Sequence, residues 1–270
     1  MPMSPSSTFQ SRSGNGYELQ MGRWSRRLAP HFVHFAGIAG AARVLDVGCG
    51  TGSLSFVLAN DPDIRGVHGI DLSPDYIAHA KGKNEDSRLT FQVGDACSLP
   101  LPAASFDHAL SMLVLPFVPR PDLAIREMRR VTRPGGVVAA ATWDSRGGLV
   151  AQRIILDTAA VLDPGASDFR ARTCTRPMSR PGDLGRAWRD AGFVDVVEGM
   201  LTVRMEFASF ADFWAPAEGS DGPIAEYVGT LGPALRATLR DRVRQAYLDG
   251  EADGARSYAA TAWAVKARAP

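Results

Sequence analysis

Cysteine is scarce in this chain. Only Cys49, Cys97 and Cys174 occur, with no CxxC pair and no Cys/His cluster at zinc-ligand spacing. That excludes a disulfide-built scaffold and a structural zinc site, so no metal is expected, and reduced thiols suit a cytoplasmic protein. Long apolar runs are also missing: nothing approaches the ~18 residues that a membrane span needs. Residues 1–16 are rich in Ser, Pro and Gly and lack the apolar stretch of a signal peptide, which reads as a disordered N-terminus. Neither sign of charge is in excess. Lys and Arg total 30 against 29 Asp and Glu, a net +1, which gives no electrostatic case for nucleic acid or an acidic membrane surface. The two local basic runs, Arg23 to Arg27 and Arg126 to Arg133, read as exposed helix faces. No acid–base pair stands out, so no catalytic residue is assigned. His108 reads as structural, early in its strand, and His31 and His34 as helix-surface positions.

What is present is a repeating strand–helix pattern. A hydrophobic fraction of 45 % over 270 residues suits one α/β domain with insertions. The pattern is organised around Val44 to Gly52, Val-Leu-Asp-Val-Gly-Cys-Gly-Thr-Gly. Arg43 to Val47 suits a buried parallel strand. Gly48, Gly50 and Gly52 then alternate, as where a backbone needs positive φ or a close approach to something else. A helix over Ser53 to Asn60 follows, and Tyr17 to Phe35 reads as a helix before the unit.

Further strands are expected at Gly66 to Leu72, Thr90 to Val93, Phe106 to Leu113 and Val137 to Trp143. The helices between them include one capped by Ser73-Pro74 and running to about Lys83, and an amphipathic one over Pro121 to Val131. Arg133 to Gly136 reads as a tight turn. Five strands alternating with helices predict a doubly wound, Rossmann-like parallel sheet. Beyond it, Leu149 to Leu162, Gly182 to Ala191, Ser209 to Trp214 and Ile224 to Leu248 read as helices, and 163–180 as a loop. Phe193 to Phe207 and Ser257 to Ala267 read as strands.

The glycine loop poses the question of ligand. A nicotinamide dinucleotide calls for G-x-G-x-x-G, with an acid about 20 residues on for the ribose. Here the spacing is G-x-G-x-G, a poor pyrophosphate clamp, although Asp71 would suit any adenosine ribose. S-adenosylmethionine has no phosphate, and its three needs are met in order along the chain. Gly48 and Gly50 allow close backbone approach. Asp71, ending the second strand, can accept from both ribose hydroxyls. Asp95, after the third, can accept from the adenine amine, with the Ala96 N–H for the ring. Leu72 and Cys97 would pack beside the adenine. Cys49 would contribute backbone, and Met112, ending the fourth strand, would wall the methyl group.

These motifs resemble the class I S-adenosylmethionine-dependent methyltransferases, in particular the ubiquinone/menaquinone-biosynthesis branch of small-molecule enzymes. The carriers are residues 44–52, Gly-Ile-Asp-Leu-Ser (69–73), Gly-Asp-Ala with Leu-Pro-Leu-Pro (94–102), Ser-Phe-Asp (105–107) and Arg-Val-Thr-Arg-Pro-Gly-Gly (130–136). They fall in order over just over a third of the chain.

The resemblance implies a seven-stranded sheet whose last strand is antiparallel and inserted beside the fifth. It implies a lid over 17–40, a core over 41–207, a helical insertion or cap over 208–250 and a terminal strand within 251–270. By the same resemblance Asp46 organises the glycine loop, Tyr17 packs on the cofactor and Arg23 pairs with its carboxylate. The implied activity is methyl transfer to an O, N or C nucleophile of a small organic acceptor. Trp143 and Asp144 would face that acceptor, with Phe210, Phe213, Trp214 and Tyr227 as a cap wall or core. The competing expectations are a non-catalytic cofactor-binding or partner protein and, third, an NAD-dependent oxidoreductase.

Overall fold

The computed structural model describes residues 14–38, 40–219 and 222–270. Most of the stretch expected to be disordered, 1–13, lies outside these residues. Its last part is a correction: Gly14 to Gly16 belong to helix α1 (Gly14–Tyr17). A π-helical turn, Glu18–Gly22, joins α1 to α2 (Arg23–Ala36), so the expected single helix has a widened turn near its start. α2 buries Trp24, Leu28, Phe32 and Ala36, spaced to line one face, and ends at Gly37 in the left-handed conformation.

The sheet is built on β1 (Arg43–Val47), β2 (Gly66–Asp71), β3 (Leu89–Val93), β4 (Phe106–Met112), β5 (Thr132–Trp143), β6 (Val194–Phe207) and β7 (Arg256–Arg268). Its order is β3-β2-β1-β4-β5-β7-β6. The first five strands are parallel, and β7 runs antiparallel between β5 and β6. β1 is central, so Val44, Leu45 and Val47 are fully buried, each burial being worth about 1.5–3 kcal/mol. Helices α3 (Ser53–Ala59), α4 (Pro74–Lys83) and α5 (Pro121–Val131) make the crossovers. Ser73 caps α4 by accepting the Tyr76 N–H, with Pro74 in the first turn.

Three expectations are corrected. Arg133 to Gly136 is not a free turn before β5. It is a bulge inside it, where pairing with β4 jumps from Phe106↔Thr132 to His108↔Val137. The extra backbone groups find partners on the far side: Gly135 N–H donates to Ala269 O, and Ala269 N–H to Gly136 O. The stretch 163–180 is not all loop. After α6 (Val150–Leu162), Asp163 caps α7 (Pro164–Cys174) by accepting the Gly165 N–H. Ile224 to Leu248 is not one helix. α10 (Pro223–Thr230) and α11 (Pro233–Leu248) break at Leu231-Gly232, because Pro233 lacks a donor and pushes its predecessor out of helical conformation. Between α7 and α10 in the chain lie α8 (Asp183–Asp190) and α9 (Phe210–Trp214).

Candidate active site

The C-terminal ends of β1 to β4 open onto one cleft of ≈ 1040 Å³, its mouth included. Open parallel sheets bind ligands at such an edge, because helix starts and loops gather there. The glycine loop forms the floor. Gly48 and Cys49 both donate N–H groups to Ile70 O, at 2.7 and 3.0 Å, which staples the loop to β2. Gly48, Gly50 and Gly52 all have positive φ, but each for its own reason. A Cβ on Gly48 would sit 2.3 Å from Val114, and one on Gly52 2.6 Å from Phe56. Those two glycines make room for protein. A Cβ on Gly50 would meet nothing within 4 Å, so Gly50 makes room in the cleft.

Asp71 ends β2 and holds the loop. Its carboxylate accepts the Gly50 N–H through Oδ2 and the Ser73 N–H through Oδ1, both at 2.9 Å. Each oxygen keeps a second lone pair for hydroxyl donors. Burial raises its pKa, with those two N–H groups opposing. Asp95 follows β3, and one of its oxygens accepts the Cys97 N–H at 2.8 Å. Leu72, Ala96 and Met112 also line the cleft, as does Tyr17, brought across from the N-terminal segment. The Tyr17 ring packs 5.3 Å from that of Tyr76, and its hydroxyl is 2.9 Å from Ser25 Oγ. Burial pushes that hydroxyl up to about 12, so it stays protonated and is no base.

Four expected site residues do not line the cleft. Asp46 lies beneath it, fully buried, accepting the Ser55 hydroxyl of α3 at 2.6 Å; burial raises its pKa to about 7. Cys49 points its thiol into the core toward Gly69. Cys97 turns its sulfur toward the Arg120 carbonyl. Arg23 pairs with Asp212 at 2.9 Å and lies over Trp24 and Phe207, away from the cleft. Its guanidinium is thus spent on an acid and two rings outside the cleft, although its buried Nε has no hydrogen-bond partner among the described residues.

Other side chains reach the cleft from places no motif marked. Leu113 adopts φ +67, a strained conformation for a leucine, and turns the chain so that Leu115–Phe117 forms a short 3-10 turn against the cleft. Leu113, Phe117 and Tyr17 also wall a second cavity, of ≈ 650 Å³, next to the first. Trp143 lines it; Asp144 does not, its carboxylate accepting the Arg146 and Gly147 N–H groups instead. Phe210, Phe213 and Trp214 are core, packed with Tyr247. Tyr227 donates to Asp163 at 2.8 Å and stacks on Phe169. His108 is structural: its Nδ1 accepts the Val137 N–H.

The donor set of the cleft decides its ligand. Among the described residues its lining holds two carboxylates, Asp71 and Asp95, and no Lys or Arg. Such a lining repels phosphates and suits a cationic ligand rich in hydroxyl and amine donors. S-adenosylmethionine fits: a sulfonium and an ammonium, a ribose diol and an adenine amine, with no phosphate.

Residues 45–140 match the family described as a methyltransferase domain. Those residues carry a methyltransferase-family domain. The chain is 38 % identical over 104 residues to the 2-methyl-6-phytyl-1,4-hydroquinone methyltransferase of Synechocystis, an alignment covering 38 % of this chain and 32 % of that one. It is 35 % identical over 117 residues to the fatty-acid O-methyltransferase of Mycolicibacterium smegmatis, covering 43 % and 42 %. These alignments span about a third to under half of the relatives. The fold is like that of Haemonchus contortus phosphoethanolamine N-methyltransferase 2 solved with S-adenosyl-L-methionine: TM-score 0.59, 17 % identity, covering 95 % of this chain and 56 % of that one. Among the described residues, no group of His, Cys, Asp or Glu could hold a metal ion, and no helix is long and apolar enough to cross a membrane.

Proposed function

We propose that the protein transfers a methyl group from S-adenosylmethionine to an oxygen, nitrogen or carbon of a small organic molecule. The observation that carries this is a cleft lined by two carboxylates and, among the described residues, no Lys or Arg, adjoining a second cavity across Tyr17, Leu113 and Phe117. When bound, S-adenosylmethionine supplies a methyl on sulfonium sulfur, and the sulfur keeps the bonding pair when the acceptor's lone pair takes the methyl.

The chain's own part is holding and enclosing. Asp71 holds the ribose diol. Asp95 and the Ala96 N–H hold the adenine edge, with Leu72 beside the ring. Gly48 and Gly50 bring backbone close to the amino-acid end, above Asp46. Met112 and Leu113 wall the reacting end. Tyr17, on the 17–40 segment acting as lid, closes it from above. Among the described residues no side chain at the junction is a free base, so rate enhancement comes from positioning and exclusion of water.

The acceptor enters the second cavity, at the end of β5, over which 208–250 contributes Pro223. The relatives' acceptors, a hydroquinone and a fatty acid, are small molecules and support that size class. The three unpaired cysteines fit a cytoplasmic setting.

Calorimetry with S-adenosylmethionine, S-adenosylhomocysteine and NAD tests the donor. Binding of the first two and not NAD is expected; NAD alone would end the reading. Turnover with a chiral methyl donor should invert the methyl group, and retention would exclude direct transfer. Donor binding with no release of S-adenosylhomocysteine across an acceptor screen would favour a non-catalytic protein.

A further inference from the structure

The second cavity has the opposite electrical character to the first. Among the described residues its lining contains Arg176 and no Asp or Glu. Arg176 is also unlike the chain's other partly buried arginines. Arg153 and Arg170, on α6 and α7, share Asp157. Arg23, Arg88 and Arg256 each meet a carboxylate, and Arg236 meets two backbone carbonyls. Among the described residues, Arg176 alone is drawn off the surface with no carboxylate in ion-pair range and no hydrogen bond from its guanidinium.

What it does touch is Phe117, whose ring centre lies 4.5 Å from its Cζ. Phe117 walls both cavities. A guanidinium lying over a ring can keep N–H donors available for an oxyanion. The exposed Glu226 attracts it from beyond ion-pair distance; burial still pulls its pKa below the ordinary range. An uncompensated charge in such a place is costly, so a partner arriving from outside gains what the fold leaves unmet. The Trp143 indole N–H, on a residue of the same cavity, is likewise buried without a partner among the described residues. Met21, Leu113 and Leu149 supply apolar wall.

We propose that this cavity binds an organic acid, an apolar body bearing one carboxylate or phenolate whose oxyanion is gripped by Arg176 beside Phe117. The inference rests on reading the neighbouring cleft as the methyl-donor site. A single arginine with no lysine matches one negative charge, and leaves a phosphate monoester under-neutralised.

The test is calorimetry on the full chain saturated with S-adenosylhomocysteine. The probes are straight-chain carboxylates from hexanoate to hexadecanoate, benzoate and cinnamate, each paired with its primary amide, and 4-nitrophenolate paired with 4-nitroanisole. At least one acid should bind tenfold or more tightly than its neutral partner. Whether the carboxylate or the phenolate arm shows that gap identifies the source of the oxyanion. Arg176→Met keeps the apolar stem on Phe117 and should abolish the gap, with S-adenosylhomocysteine affinity and Tm unchanged. Arg176→Lys should retain part of it. If no acid binds better than its partner, or Arg176→Met binds acids as the parent does, the inference is wrong. A failure of S-adenosylhomocysteine itself to bind would sink the donor reading instead.

Discussion

The Thr51 hydroxyl donates to the Glu18 carboxylate at 2.5 Å, joining the π-helical turn of the N-terminal segment to the glycine loop 33 residues away. Arg26 and Lys83 also reach Glu18, so one acid ties together α2, α4 and the loop beneath them. Tyr17, the next residue back, is thereby set over the cleft.

We predict that Glu18→Gln weakens S-adenosylhomocysteine binding about fivefold, ~1 kcal/mol for a partly exposed charged contact. Burial pushes the Glu18 pKa up, but hydrogen bonds from Thr51 and Arg26 and the charges of Arg26 and Lys83 outweigh it and leave it lowered. A depressed carboxylate contributes fully above its unfolded pKa and loses that contribution as pH falls through the folded one. The affinity difference between parent and Glu18→Gln should therefore hold at neutral pH and close only below the ordinary carboxylate range. A gap that closed between pH 6 and 8 would point to another group.

Asp46 gives the opposite slope. Its pKa is raised to about 7 by burial, with the Ser55 hydroxyl opposing and Asp71 adding. A raised acid favours the folded state at low pH and loses that advantage as pH climbs from the unfolded value, ~3.9, to about 7. Urea unfolding should show the parent losing stability over that window relative to Asp46→Asn, which keeps an acceptor for Ser55, by on the order of a few kcal/mol. Parallel pH curves would exclude the buried charge.

The glycines separate fold from site. Gly48→Ala should destabilise the fold by about 2–4 kcal/mol, because its Cβ meets Val114, and Val114→Ala should restore part of the loss. Gly50→Ala should cost only ~1 kcal/mol of stability, from its positive φ, yet weaken S-adenosylhomocysteine binding tenfold or more. Thermal melts and calorimetry on both variants check this; equal binding losses would mean that Gly50 does not border the ligand.

Asp71→Ala should weaken S-adenosylhomocysteine binding at least tenfold. It should also lower Tm, because the Gly50 and Ser73 N–H groups lose their acceptor. Asp71→Asn, keeping one acceptor oxygen, should retain more stability than affinity. Unchanged affinity in Asp71→Ala would remove the ribose assignment.

Local chemistry carried much of the fold. The apolar runs, the Ser73-Pro74 cap and the glycine breaks gave β1 and α5 to the residue and fixed the start of α4, because strand burial and helix capping act within a few positions. The Asp163-Pro164 cap of α7 was just as visible but sat in a stretch with little apolar periodicity. The bulge in β5 was not visible at all, since its stray backbone groups are met by Ala269, more than 130 residues on.

The site divides along the same line. Gly48, Gly50, Asp71 and Asp95 are read directly, because consecutive parallel strands bring the ends of successive strand motifs to one edge. The sequence by itself determined that edge, its two acids and hence a phosphate-free methyl donor. Only the tertiary structure decided that Arg23 is taken by Asp212 while Arg176 is left without an acid, and that Tyr17, Leu113 and Phe117 separate two cavities. A side chain's partner depends on which distant segment packs beside it, and no local pattern records that.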